Sequence, residues 1–167
     1  IAACAKHFPG HGDARADSHA ELPVIEHPPE RLREQDMAPF RAAVGANVAG
    51  GMTAPILYPS LDVEQPATLS RTIVRDLLRD EIGHQGLVVT DDLEMGAITQ
   101  THTVEQAAVA ALDVGCDTAL LCGASVERHV SVLEAIIRAV EAKTLDVRTV
   151  EDALARQRLV KGRFLAG

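Results

Sequence analysis

Four short apolar runs, each followed by a stretch with helical character, constrain this chain more than any other feature. The runs are IAACA (1–5), NVAGGMTA (47–54), LVVT (87–90) and DTALLC (117–122). Apolar runs of about four to eight residues bounded by turn residues read as strands buried in a sheet. Strands that alternate with helices argue for parallel pairing through right-handed crossovers.

The helical stretches carry their own punctuation. ERLREQDMAPFRAAVGA (30–46) reads as a helix interrupted near Pro39 and closed by Gly45. Ser70 can cap a helix through Arg79 that places Ile73, Val74, Leu77 and Leu78 on one face. MGAI (95–98) forms a helical turn, and Thr103 with Gln106 has the pattern of a capping box for a helix that Gly115 ends. A further helix is expected from about Ser125 to Lys143, with Val126, Val130, Leu133, Ile137 and Val140 at helical spacing; a last one runs from Asp146 to about Phe164. There is no low-complexity segment and no interdomain linker. Four βα units are too few to close an eight-stranded barrel, which typically needs about 250 residues. With 167 residues the chain is either a small open sheet or half of such a barrel.

Composition narrows the function classes. Aromatic residues make up 2% of the chain with no Trp, so Ala, Val and Leu must fill the interior. The net charge is −8 and the basic residues are dispersed, which argues against a nucleic-acid surface. No apolar run approaches the roughly 18 residues needed to span a bilayer. Cys4, Cys116 and Cys122 lack metal-ligand spacing, and Cys4 and Cys122 fall in or beside expected strands. They are expected to be buried free thiols in a reducing, cytoplasmic compartment. The chain opens with Ile in mid-strand, so the absence of a signal peptide here says nothing about the intact gene product.

The chemistry is concentrated in KHFPGHGDARADSH (6–19), which holds three histidines, two aspartates, a lysine and an arginine directly after the first strand. A second polar edge follows the third strand, where Asp91 and Asp92 end LVVTDD. Titratable groups at strand ends are what an α/β enzyme gathers at the carboxyl end of its sheet, so the two edges suggest one active site.

These residues resemble glycoside hydrolase family 3, in particular its β-N-acetylglucosaminidase (β-N-acetylhexosaminidase, NagZ-like) branch. KHFPGHG, the DSH that follows it and Leu22-Pro23 are similar to that branch's signature after strand five. GGMTA with YPSLD is similar to its strand six and following loop, VVTDDLEMGAI to its strand seven, and GCDTALLC to its strand eight. The likeness runs in order over nearly the whole chain. It implies that residues 1–167 are one partial catalytic domain, the C-terminal half of a (β/α)8 TIM barrel, with strands five to eight present and the N-terminal half absent. That missing half would supply further sugar-binding residues. Pro55 departs from the pattern, which has His after MTA.

The resemblance also implies roles. Asp91 matches the nucleophile of a retaining glycosidase, which attacks the anomeric carbon as an ionised carboxylate; read alone, Asp91 or Asp92 could equally cap the following loop. Asp92 is expected to orient a neighbour by hydrogen bonding. His19 matches the proton donor and Asp17 its partner in an Asp-His dyad; imidazole titrates near 6.5 in the absence of perturbation, so it can donate and later accept a proton near neutrality. Lys6 and His7 resemble a sugar-binding pair, and Met95 a position near the sugar. The alternatives are a structural ion pair for Lys6 and a packing role for Met95. His11 is assigned no chemistry, and His27, His84, His102 and His129 are expected to be surface or cap residues.

The activity implied is removal of terminal β-linked N-acetylglucosamine from cell-wall muropeptides or chitooligosaccharide-like substrates through a glycosyl-enzyme intermediate. No metal or organic cofactor is implied, and the partner is a carbohydrate substrate. Phosphorolysis and a β-glucosidase-type specificity are related alternatives. A metal-dependent hydrolase using His7, His11, His19 and an Asp is a different class, and its spacing fits no standard zinc pattern. Half a barrel would also expose two sheet edges, inviting self-association and leaving the isolated segment inactive.

Overall fold

The computed structural model describes residues 1–14, 16–123 and 125–165. Its strands are β1 (Cys4–Phe8), β2 (Gly50–Thr53), β3 (Leu87–Asp92) and β4 (Thr118–Leu120). They form one four-stranded sheet in the order β1-β2-β3-β4, with each neighbouring pair parallel. All carboxyl ends therefore lie on one rim, as the strand–helix alternation requires.

Helices fill the crossovers. α1 (Pro29–Arg31) runs into a π-wound segment, Leu32–Asp36, and the chain restarts after Met37 as α2 (Ala38–Gly45). The break falls where expected, because Pro39 lacks an N–H and its ring excludes a continuous helix. The helix expected from Ser70 is π-wound over Thr72–Glu81 and buries Ile73, Val74, Leu77 and Leu78. Ser70 Oγ accepts from the Ile73 N–H at 3.3 Å, the capping contact foreseen for it. α3 (Gly96–Thr99) is the short turn of MGAI. α4 (Val104–Val114) opens on the Thr103–Gln106 capping box and closes on Gly115, whose φ of 112° favours glycine. α5 (Val126–Glu141) is capped by Ser125 Oγ, and α6 (Val147–Leu165) follows.

The main core joins the sheet to these helices through Phe8, Met37, Ile56, Tyr58, Ile73, Val88, Leu93 and Ile98. Phe8 meets Phe40 of α2 edge-on, with ring centroids 5.2 Å apart. On the amino-end side, Asp117 has a fully buried side chain held by Arg79 Nη2 at 2.5 Å, Arg156 Nη1 at 2.8 Å and the Val88 N–H at 2.8 Å. This one carboxylate ties β3, β4, the π-wound helix and α6 together.

Three expectations are corrected. β1 is not the buried run IAACA: it starts at Cys4, takes in Lys6 and His7, and leaves Ile1 fully exposed. Among the described residues it is a sheet edge paired only with β2, so most of its residues retain contact with solvent. Cys4 and Cys122 are exposed for a related reason, one on that edge strand and the other beyond the end of β4; only Cys116 is a buried thiol. Burial pushes the Cys116 thiol up to about 12. Finally, the apolar stripe of α5 is split: Val140 packs inward, whereas the rest of it faces solvent. Val126, Val130, Leu133 and Ile137 are 47% to 75% exposed, because α5 instead turns Val132, Ile136 and Ala139 inward beside α4. Among the described residues no helix is long and apolar enough to cross a membrane.

Candidate active site

β1 presents Lys6 and His7 at the carboxyl rim, and β3 ends on Asp91 and Asp92. Both aspartates lie inside the strand rather than after it, since β3 runs two residues past LVVT. Asp92 keeps register with Leu120 across an irregularity in the β3–β4 pairing. β2 separates β1 from β3, yet His7 Nε2 reaches Asp91 Oδ2 at 3.4 Å over its end. Both side chains are about a quarter exposed. Burial lowers the His7 pKa from 6.5; Asp91 opposes this, while Lys6 and His11 add to it. His7 is therefore a neutral imidazole at neutral pH, and its contact with Asp91 is that of a neutral partner with a carboxylate. The His11 ring stands 5.5 Å from that of His7. Lys6 is exposed and, among the described residues, forms no ion pair.

Two carboxylates fasten the end of β3 to the loop after β4. Asp92 Oδ1 accepts from the N–H groups of Glu94 at 3.1 Å and Cys122 at 3.2 Å. The Asp92 N–H in turn donates to Asp91 Oδ1 at 2.9 Å, which orients that carboxylate. Glu94 Oε2 accepts from Gly123 N–H at 3.0 Å. Desolvation and then the carboxylates of Asp92, Asp91 and Glu94 push the Cys122 thiol up, a measure of the negative charge at this rim.

Asp17 and His19, the pair expected to act as a dyad, stand on an exposed loop. Asp17 Oδ1 accepts from the backbone N–H of His19 at 3.0 Å, and the Asp17 carbonyl accepts from Ala20 and Glu21. The Asp17 carboxylate thus closes a tight turn on His19; among the described residues no hydrogen bond joins it to the His19 ring. The turn is seated on α3: Gly96 N–H donates to the His19 carbonyl and Ala97 N–H to the Ser18 carbonyl, both at 3.1 Å. Gln100 Nε2 donates to the Ala20 carbonyl at 2.9 Å. Met95, which precedes this platform, is 4% exposed, and its N–H donates to the Asp92 carbonyl.

Sequence reasoning missed that platform: MGAI reads as a helical turn without revealing what packs on it. It also misplaced two histidines. His84 is 2% exposed, with Nε2 2.9 Å from the Leu87 carbonyl. His27 lies between Asp13 Oδ2 at 3.0 Å and Asp36 Oδ2 at 3.1 Å, tying the site loop to the π-wound segment. A histidine flanked in space by acids cannot be told from a solvated one by spacing alone. His129 bonds the Ser125 carbonyl at the start of α5, as a cap residue would. Among the described residues no group of three or more His, Cys, Asp or Glu is arranged to hold a metal ion.

Residues 1–160 match the glycosyl hydrolase family 3 N-terminal domain. The chain belongs to this family. It is 43% identical over 122 residues to a β-hexosaminidase of Thiobacillus denitrificans, a match covering 73% of this chain and 34% of the relative. To a β-hexosaminidase of Alkalilimnicola ehrlichii it is 39% identical over 138 residues, covering 83% of this chain and 38% of that one. Its fold superposes on a family 3 β-N-acetylglucosaminidase from Paenibacillus sp. str. FPU-7 with a TM-score of 0.94 at 41% identity, over 98% of this chain and 31% of the other. The chain thus spans about a third of the length of the curated relatives it matches. Its four parallel strands with alternating helices have the α/β arrangement of part of the family's TIM-barrel-like domain.

Proposed function

We propose that this chain is the C-terminal half of the catalytic barrel of a retaining β-N-acetylhexosaminidase. The substrates are terminal β-linked N-acetylglucosamine residues of muropeptide or chitooligosaccharide type. The observation that carries this reading is the convergence of Asp91 and His7 at one strand rim, within a chain of this family.

In the first step an Asp91 carboxylate oxygen attacks the anomeric carbon as the glycosidic C–O bond breaks, and His19 gives its proton to the departing oxygen. In the second, His19 takes a proton from water, whose oxygen attacks the same carbon and releases Asp91. Two inversions give net retention. Asp92 supports the step by donating its N–H to Asp91, which fixes the carboxylate without adding charge. A neutral His7 and exposed Lys6 supply donors to the ring hydroxyls. Asp17 serves the dyad by fixing the backbone of His19 in the free protein. Met95 borders the sugar. No cofactor is needed for this sequence of steps, and the three unpaired thiols fit a reducing cytoplasm.

Asp91→Ala and His19→Ala in the full-length protein test the reading. The first abolishes turnover of an aryl N-acetylglucosaminide; the second lowers it by about a hundred- to ten-thousandfold, as expected for a general acid. A slow fluorinated N-acetylglucosaminide labels Asp91. A label on another residue, or an unimpaired Asp91→Ala variant, overturns the reading. The isolated 167-residue chain should show little or no turnover in the same assay.

A further inference from the structure

The proposed proton donor has no side-chain partner among the described residues that would hold it over the nucleophile. What places it is backbone. His19 and its neighbours Ser18 and Ala20 lend their carbonyls to three donors of one short turn: Gly96 N–H, Ala97 N–H and Gln100 Nε2. That turn begins five residues after Asp91 in the chain. It is rigid, because Ala97 and Ile98 are fully buried, Met95 nearly so, and the Met95 N–H is bonded to the Asp92 carbonyl. The docking is also too close for a side chain. A Cβ at position 96 would lie 2.7 Å from the carbonyl oxygens of both His19 and Ala20. Backbone carbonyls cannot yield as a flexible side chain would, so any larger residue must push the loop away.

We propose that Gly96 and Gln100 are positioning residues that set where His19 stands relative to Asp91, by fixing the backbone of the loop that bears it. The inference rests on the hydrolase reading above. It makes a prediction that general destabilisation does not: displacing the loop impairs proton donation and spares nucleophilic attack. Protonation of the leaving group matters for a phenyl glycoside and hardly at all for a dinitrophenyl one, whose phenolate departs unaided. Values of kcat/KM report the glycosylation step for both.

The test is Gly96→Ala and Gln100→Ala in the full-length protein, assayed with phenyl and dinitrophenyl N-acetyl-β-glucosaminides alongside thermal melts. Gly96→Ala should lower kcat/KM for the phenyl substrate about tenfold or more and for the dinitrophenyl substrate by less than about twofold, since only the first draws on general-acid catalysis. Gln100→Ala should show the same selectivity with a smaller fall. Equal losses on both substrates, or no loss on either, overturn the positioning role. If Gly96→Ala does not fold, the selectivity of Gln100→Ala decides in the same way. A wild-type protein inactive on both glycosides overturns the hydrolase reading and the proposal together; an active wild type with unselective variants overturns the proposal alone.

Discussion

His84 sits under β3 with Nε2 2.9 Å from the Leu87 carbonyl, and burial lowers its pKa from 6.5 despite the opposing pull of that carbonyl and of Asp117. The folded chain therefore resists a proton that the unfolded chain accepts near 6.5. Stability does not depend on this group above that value, and it falls as pH drops from there toward the lowered native pKa. His7 acts in the same direction. Urea denaturation of the full-length protein from about pH 7.5 down to about pH 5 should show this loss, and His84→Gln, which retains a donor without a titrating ring, should flatten it. An unchanged slope in His84→Gln would remove His84 as the cause. At this scale the sequence was only partly legible. Lys6, His7, Asp91 and Asp92 stand at the carboxyl ends of their strands, and parallel pairing brings those ends to one rim. The conformation of the turn at Asp17 and the burial of His84 depend on residues distant in the chain, so no local pattern encodes them.

The elements followed from periodicity and punctuation: Pro39 breaks a helix, the Thr103–Gln106 box opens one and Gly115 ends it. Strand boundaries were less legible, because pairing partners set them. β3 extends through Asp92 by virtue of Leu120 opposite, and β1 starts late because its register begins at Cys4 against Gly50. The α5 stripe misled because a helical repeat shows which residues share a face but not which face a neighbour covers. Among interactions that lock elements together, the buried Asp117 carboxylate is the most exposed to mutation. Removing it leaves Arg79, whose pKa burial already lowers, with backbone carbonyls but no counter-charge, and leaves Arg156 without its partner. Asp117→Ala should cost about 3–5 kcal/mol of unfolding free energy by urea titration, the usual penalty for breaking a buried pair. A loss below about 1 kcal/mol would mean that the arginines find other acceptors.

At the scale of the molecule, β1 and β4 are the sheet edges among the described residues, and α5 presents four large apolar side chains to solvent. Edges and apolar stripes of this kind drive association when nothing covers them. The isolated 167-residue chain should therefore sediment as dimers or larger species, and Leu133→Lys with Ile137→Lys should shift it toward the monomer. A monodisperse monomer at high micromolar concentration would contradict this.

The bond-rich carboxylate at position 117 lies just before β4 and grips the amino end of β3, whereas His7 and Asp91 occupy the opposite rim with few ties. On the function proposed above, strength and reactivity are thus housed at opposite poles. By that proposal Asp91→Ala should melt like the unsubstituted protein, and the pole proposed as reactive is free to drift in specificity while the other end keeps the sheet together.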